Sequence, residues 1–354
     1  MASKLDIKKR EFLLGGSAIP AHPLALTNEK KLNEKYQRAL TRYYAAAGAG
    51  GIAIGVHSTQ FEIRNSKYNL YKPVLELASE EIDNLRLNRP FLKIAGVVGD
   101  IEQATKEARI AYDLNYDLVL LSMGGLSHLS EEQLLERAKE IAKILPVFGF
   151  YLQPAAGGRI LSFEFWRQFA EITNVMAIKM APFNRYQTLD VVRAVCSSSR
   201  KNKIALYTGN DDNIIVDLFT KYSFNINGRM VEKQIVGGLL GHWAVWTKKA
   251  VELFDAIKIQ RKNEETIDPA WLTTNIQVTD SNAAFFDPQN QFRGCISGIH
   301  EVLRRQGLME NILCLSDKEC LSIGQSAEID RVYKMYPHLN DDQFVKENLD
   351  KWLK

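Results

Sequence analysis

Cysteine is scarce in this chain and unpatterned. Four occur among 354 residues, Cys196, Cys295, Cys314 and Cys320, and none forms a C-x-x-C pair. A zinc or dithiol motif is therefore not indicated, and sparse, irregular cysteines suit a reducing cytoplasm. Long uncharged apolar runs are lacking too, so no window reaches the roughly 20 residues that cross a bilayer. Residues 1–10 are polar and basic, without the apolar stretch of a signal peptide. Charge of one sign is not in excess: 45 Lys and Arg stand against 42 Asp and Glu, a net charge of +3 spread along the chain. Neither nucleic acid nor a membrane is expected as a partner. A G-x-G-x-x-G turn is also missing, since Gly48-Ala49-Gly50-Gly51 precedes an apolar run instead of following one.

What is present is a rhythm. Short apolar runs at 12–19, 51–56, 91–98, 118–122, 147–152, 175–180, 204–208 and 234–240 are rich in Val, Ile and Leu and nearly continuous. Strands buried on both faces read this way. Amphipathic stretches lie between them. Thr27 precedes Leu32, Tyr36, Leu40 and Tyr43 at helical spacing, and Asp100 with Gln103 and Ser130 with Gln133 resemble capping boxes. Helices are further expected near 70–87, 131–145, 162–173, 186–198, 211–222 and 243–261. Eight βα units in succession predict an α/β fold, a (β/α)8 TIM barrel over residues 1–262. Residues 263–354, with helical stretches near 292–307 and 326–353, are expected to form a C-terminal helical extension packed on the barrel. The alternative, an open doubly wound sheet, usually has fewer strands and a glycine fingerprint after the first.

Barrel enzymes place their chemistry at the carboxyl ends of strands. The sixth run carries a lysine, Lys179, in an otherwise apolar stretch. Pointing outward it meets the helices. Pointing inward it shares a face with the small Ala177 and Ala181, burial lowers its pKa, and the neutral amine can attack a carbonyl to form an imine. An ion-paired structural lysine is the bland alternative. Tyr151, on the fifth run, is placed to face that amine and relay protons, or else is a core tyrosine.

Tyr151-x-x-Pro154 followed by Ile178-Lys179 resembles the dihydrodipicolinate synthase / N-acetylneuraminate lyase family, which carries Y-N-x-P on strand five and G-x-K on strand six of a (β/α)8 barrel. Gly209-Asn210-Asp211-Asp212 is similar to that family's G-x-D-D. Gly237-Gly238-Leu239-Leu240-Gly241 is similar to its glycine-rich eighth strand, Ile19-Pro20 to the end of its first, and the stretch ending Leu303-Arg304-Arg305-Gln306-Gly307 to its C-terminal helix. The likeness spans about residues 12–310. It implies a class I lyase in which Lys179 forms a Schiff base with a 2-oxo acid and Tyr151 shuttles protons. No cofactor and no metal is implied, and the family commonly forms homodimers and homotetramers.

The match fails in two loops. Where the family has G-T-T-G-E or G-S-T-G-E to hold the 2-oxo acid carboxylate, this chain reads Gly55-Val56-His57-Ser58-Thr59. Ser58 and Thr59 come one or two positions late, and His57 offers a donor that titrates near neutrality. Ser122-Met123-Gly124-Gly125 replaces the P-Y-Y of the synthases, and glycines and alanines stand where they carry a carboxylate-binding arginine; Arg159 is displaced. The expectation is therefore a carbon–carbon or carbon–oxygen lyase, of aldolase or dehydratase type, on a small-molecule carbonyl substrate, and not a true dihydrodipicolinate synthase. Candidate substrate-binding residues are His57, Ser58, Thr59, Tyr207, Gly238 and His242. Two other readings stand beside it: acid/base or metal-assisted chemistry through His57, His22 and Asp211, and a barrel that binds ligand but has lost turnover.

Overall fold

The structure is a computed structural model, described here for residues 3–263 and 266–354. In chain order its elements are α1 (Ile7–Gly15), β1 (Ala18–Pro20), α2 (Glu34–Ala47), β2 (Gly51–Ile54), α3 (Tyr71–Asn84), β3 (Leu92–Val97), α4 (Ile101–Asp113), β4 (Leu118–Ser122), α5 (Glu131–Ala142), β5 (Val147–Leu152) and α6 (Phe163–Glu171). There follow β6 (Val175–Ala181), α7 (Arg185–Ser197), β7 (Ala205–Thr208), α8 (Ile214–Phe219), β8 (Lys221–Ile226), β9 (Arg229–Leu240), α9 (Thr247–Lys262), α10 (Ala270–Phe286), α11 (Cys295–Arg305), α12 (Gln325–Met335) and α13 (Asp342–Trp352). The fold class is the (β/α)8 barrel with C-terminal helices. Among the described residues no helix is long and apolar enough to cross a membrane.

The chain falls into two compact units. One comprises the segment up to Ser17 with Leu92–Leu239, the other Ala18–Phe91 with Leu240–Lys354. In the first unit β3, β4, β5, β6, β7 and β9 pair in parallel in that order. Their side chains are buried on both faces, which is why these runs read as continuous apolar text. In the second unit β1 and β2 run side by side, with a parallel bridge between Ala21 and Ala53, and α10 packs with α11 and α12.

Several expected boundaries shift. The first apolar run joins two elements. Its Phe12–Leu13 part closes α1, whose start is capped by Asp6 accepting from Lys9 N at 3.1 Å. Gly16, at φ +80°, then breaks the helix before β1, and a Cβ there would lie 1.8 Å from the Val236 carbonyl oxygen. Thr27 does not start α2; Asn33 does, accepting from Tyr36 N. The helix expected over 211–222 is only six residues long. The chain then enters a hairpin, β8 antiparallel to β9, through Asn227 and Gly228, both at positive φ. Asn-Gly is the strongest short hairpin signal, and here it marks a ribbon that lengthens the eighth barrel strand. The stretch 326–353 is two helices, α12 and α13, parted by Pro337, which cannot continue α12. The long α10 is invisible to propensity, carrying three Thr and two Asn among its 17 residues; packing on its neighbours makes it helical.

Candidate active site

The β-sheet register decides which way Lys179 points. Phe150 on β5 pairs with Lys179, and Lys179 pairs with Tyr207 on β7. Paired residues share a face, and adjacent ones alternate. A Cβ on Gly149 would lie 2.6 Å from Phe169 of α6, so Gly149 and its partner Ile178 face the helices. Phe150, Lys179 and Tyr207 therefore lie on the inner face of the sheet. Ala177 and Ala181 flank the lysine there, and a Cβ at Gly209 would fall 2.4 Å from Lys179 Cε. The missing side chain at Gly209 is what leaves room for the lysine stem.

Lys179 is 7% exposed, and its Nζ sits 4.4 Å from the centre of the Phe150 ring. Burial lowers its pKa to about 8, a shift that the Asp211 carboxylate partly opposes. About a tenth of the amine is then neutral at pH 7, against about one part in three thousand at an ordinary lysine pKa. That is the protonation state an amine nucleophile requires.

A buried carboxylate that sequence reading missed holds the loop beside it. Asp217, on α8, is fully buried. It accepts from Thr208 Oγ1 at 2.6 Å, Asn210 Nδ2 at 3.1 Å and Asn213 Nδ2 at 3.1 Å, and it pairs with Arg185. Asn210 also accepts from Phe183 N at 3.1 Å through its Oδ1. These bonds fix the Gly209-Asn210-Asp211-Asp212 turn, which carries both the small residue under Lys179 and the carboxylate that acts on it. A lone aspartate in a six-residue helix has no motif to announce it.

Tyr151 does not face Lys179. It is paired with Met180, not with the lysine, and so lies on the helix face. Its ring packs 5.1 Å from Trp166 of α6. Its hydroxyl accepts from Leu161 N at 3.3 Å and lies 3.5 Å from Leu161 O. The one-residue offset along β5 turns the proposed proton relay into a brace for the β5–α6 loop. Tyr151→Phe is accordingly expected to cost about 1 kcal/mol of stability and to leave reactivity at Lys179 unchanged. A relay role predicts instead a loss of about a hundredfold or more in rate, read from single-turnover imine formation.

Tyr207 shares the inner face with Lys179 but points its hydroxyl elsewhere. It donates to Leu13 O at 2.8 Å, and its ring meets Phe148 edge-on at 5.1 Å. Burial raises its pKa well above the ordinary tyrosine value. Tyr207 is a packed inner-face residue whose hydroxyl is spent on backbone. Gly238 likewise donates its N–H to Ser17 O at 3.2 Å, so its backbone is structural. The adjacent Gly237 permits this approach: a Cβ there would lie 2.5 Å from Ser17 O and 2.7 Å from the Tyr207 ring.

The remaining candidates lie in the second unit. Ser58 Oγ donates to Ala21 O at 2.9 Å, and Thr59 Oγ1 donates to His22 O at 2.7 Å. Thr59 Oγ1 also accepts from Gly55 N at 3.0 Å and Val56 N at 3.3 Å. The turn after β2 thus satisfies its own amides, and the two hydroxyls expected to bind a carboxylate are spent on backbone. His57 heads this turn, its ring meeting that of Phe61 edge-on with centres 6.0 Å apart. His242 is a core residue: it stacks on Phe285 at 5.8 Å, and burial lowers its pKa to about 4. His22 is committed as well, Nδ1 lying 2.7 Å from Pro23 O and Nε2 2.9 Å from Thr41 Oγ1. Both ring nitrogens are occupied, which removes it from the metal or acid/base reading.

The glycine-rich loops of the first unit close on each other. Gly125 N donates to Gly157 O at 3.1 Å, and a Cβ on Gly124 would lie 2.8 Å from that oxygen. Arg159 donates to Leu126 O and Leu129 O at 3.0 and 2.8 Å. These glycines bring two backbones together and do not widen an opening, and Arg159 ties down a loop.

No protein-family model matches this chain, and no curated protein matches it. Solved structures do. Dihydrodipicolinate synthase from Oceanobacillus iheyensis superposes with a TM-score of 0.72 at 16% identity, over 93% of this chain and 99% of that one. A prophage protein of the dihydrodipicolinic acid synthase family from E. coli K12, in complex with pyruvate, gives 0.71 at 16% identity, over 92% and 98%. N-acetylneuraminate lyase from Mycoplasma synoviae gives 0.68 at 15% identity, over 93% and 99%. At such identities the likeness is one of fold. The resemblance read from the strand-end motifs is thus matched across nearly the whole chain: its fold is the (β/α)8 fold of the dihydrodipicolinate synthases and N-acetylneuraminate lyases.

Proposed function

We propose that this chain is a divergent member of that family: an imine-forming lyase or aldolase acting through Lys179 on a 2-oxo acid or a sugar-acid-derived carbonyl compound. The observation that carries the reading is the lysine itself. It is buried on the inner face of β6 among small residues, with its pKa lowered to about 8. The neutral amine adds to the carbonyl carbon, the carbinolamine loses water, and the protonated imine accepts the electron pair of the neighbouring bond as it breaks. His57 stays a candidate for substrate binding. Tyr151 has no part in the chemistry.

One observation favours a second reading, a barrel that binds ligand without turnover. Thr59 Oγ1 already occupies the Gly55 and Val56 amides, which stand where the family grips pyruvate. Borohydride reduction in the presence of a panel of 2-oxo acids, pyruvate among them, separates the two. The enzyme reading expects covalent mass on the peptide containing Lys179 with at least one compound. Absence of any adduct across the panel, with reversible binding retained, would leave the second reading.

A further inference from the structure

The first unit has a second feature, far along the strand from the reacting end. Beside the start of β6 lies a cavity of about 870 Å³, within the range of small-ligand sites. Leu5, Ile172 and Met176 give it apolar walls, and six cations, Lys4, Arg10, Lys139, Lys143, Arg200 and Lys203, surround it against one carboxylate, Glu171. Glu171 is already bound to Ser199, accepting from its N at 2.9 Å and its Oγ at 2.6 Å. Several of the cations also have duties. Lys139 and Lys143 pair with Glu136 and Glu140, and Arg200 donates to the carbonyls of Ala170, Ile172, Thr173 and Val175. Arg10 is different. Its Nε is buried with no hydrogen-bond partner among the described residues, and buried donors in folded proteins are normally paired. It also stands beside a like charge: burial weakens the hold of Arg200 on its proton, Glu171 partly restores it, and Arg10 weakens it again.

We propose that this cavity binds an amphipathic anion, a carboxylate on an aliphatic body, with the acidic head accepting from Arg10 and the body lying against Leu5, Ile172 and Met176. A carboxylate in the cavity gives the Arg10 guanidinium, which lines it, an acceptor and offsets the like charge of Arg200 beside it, and a charge-assisted bond of this kind is among the stronger ones. The apolar walls would bury the chain and exclude a fully hydrated ion such as phosphate. The site is separate from Lys179: it needs no carbonyl, and it lies at the amino-terminal end of the strand, opposite the end where barrel enzymes work.

Titration calorimetry on the full chain with decanoate, decanol and inorganic phosphate tests this. Decanoate is expected to bind saturably at one site, with decanol and phosphate each weaker by about tenfold or more. Arg10→Gln should weaken decanoate by about tenfold and leave decanol unchanged, while Arg10→Lys restores part of the loss. Should Arg10→Gln fail to fold, the comparison of decanoate with decanol on the unaltered chain still decides. Equal binding of decanol and decanoate, undiminished binding by a folded Arg10→Gln, or no saturable decanoate binding overturns the proposal. So does loss of decanoate binding after a 2-oxo acid has been trapped on Lys179, which would move the ligand to the other site without touching the imine reading.

Discussion

Lys179→Met is expected to abolish covalent trapping by borohydride and, at the same time, to make the protein harder to unfold at pH 7. Both effects follow from burial. Lys179 has a folded pKa of about 8 against an ordinary 10.5, so the unfolded chain binds its proton more tightly. The folded pKa is depressed, and the lysine's contribution to stability is therefore complete only above pH 10.5. It falls as the pH drops through the window to 8 and is flat below it. A shift of this size corresponds to about 3 kcal/mol lost by pH 7. Methionine fills similar space without a charge, and the urea midpoint at pH 7 should rise by an amount of that order. The gain should shrink toward pH 10. Chemistry runs the other way: trapping on the unaltered chain should accelerate with pH and level off above about 8, as the amine loses its proton. A trapping rate flat from pH 6 to 9, or a Lys179→Met protein that unfolds at lower urea, would sink this account of the lysine.

Asp217→Ala is expected to cost about 2–5 kcal/mol, chiefly because the buried Thr208 and Asn210 donors lose their shared acceptor at about 1–3 kcal/mol each, while the half-exposed Arg185 adds little. Arg185 would lose its counter-ion, and the Thr208, Asn210 and Asn213 donors would lose their acceptor. Asp217→Asn keeps the shape and part of the bonding and should cost less. The damage should extend beyond stability, because the same bonds fix the turn that places Gly209 under Lys179 and Asp211 near it. With that turn loosened, the pH at which trapping reaches half its limit should move, whereas a merely structural aspartate would leave it near 8. Denaturant titration with the pH profile of trapping reads both. An unchanged urea midpoint in Asp217→Ala would show that the network is not the support described.

The architecture was legible because parallel strands covered on both faces must be apolar along their length. The runs at 118–122 and 147–152 coincide with β4 and β5 for that reason. The capping box of Ser130 and Gln133 was equally readable, since its bonds are local. Legibility failed where two short elements fused into one apolar run, as in α1 and β1, and where packing overrode propensity, as in α10. The Asn-Gly turn of the β8–β9 hairpin was present in the text but outweighed by the expected βα rhythm.

The site divides along the same line. Lys179 was identifiable from sequence because a lysine inside an apolar strand is expensive to bury and so invites a chemical reason. Its neighbours were not. Side chains alternate along a strand, so a one-residue difference in register decides whether Tyr151 meets the amine or Trp166. Hydroxyls such as those of Ser58 and Thr59 look available in sequence until the carbonyls and amides that take them come into view. Composition and periodicity, then, determined the class of fold and singled out Lys179, both of which depend on local text. Only the tertiary structure decided the partners of that lysine, because hydrogen bonds and burial are made between segments distant in sequence.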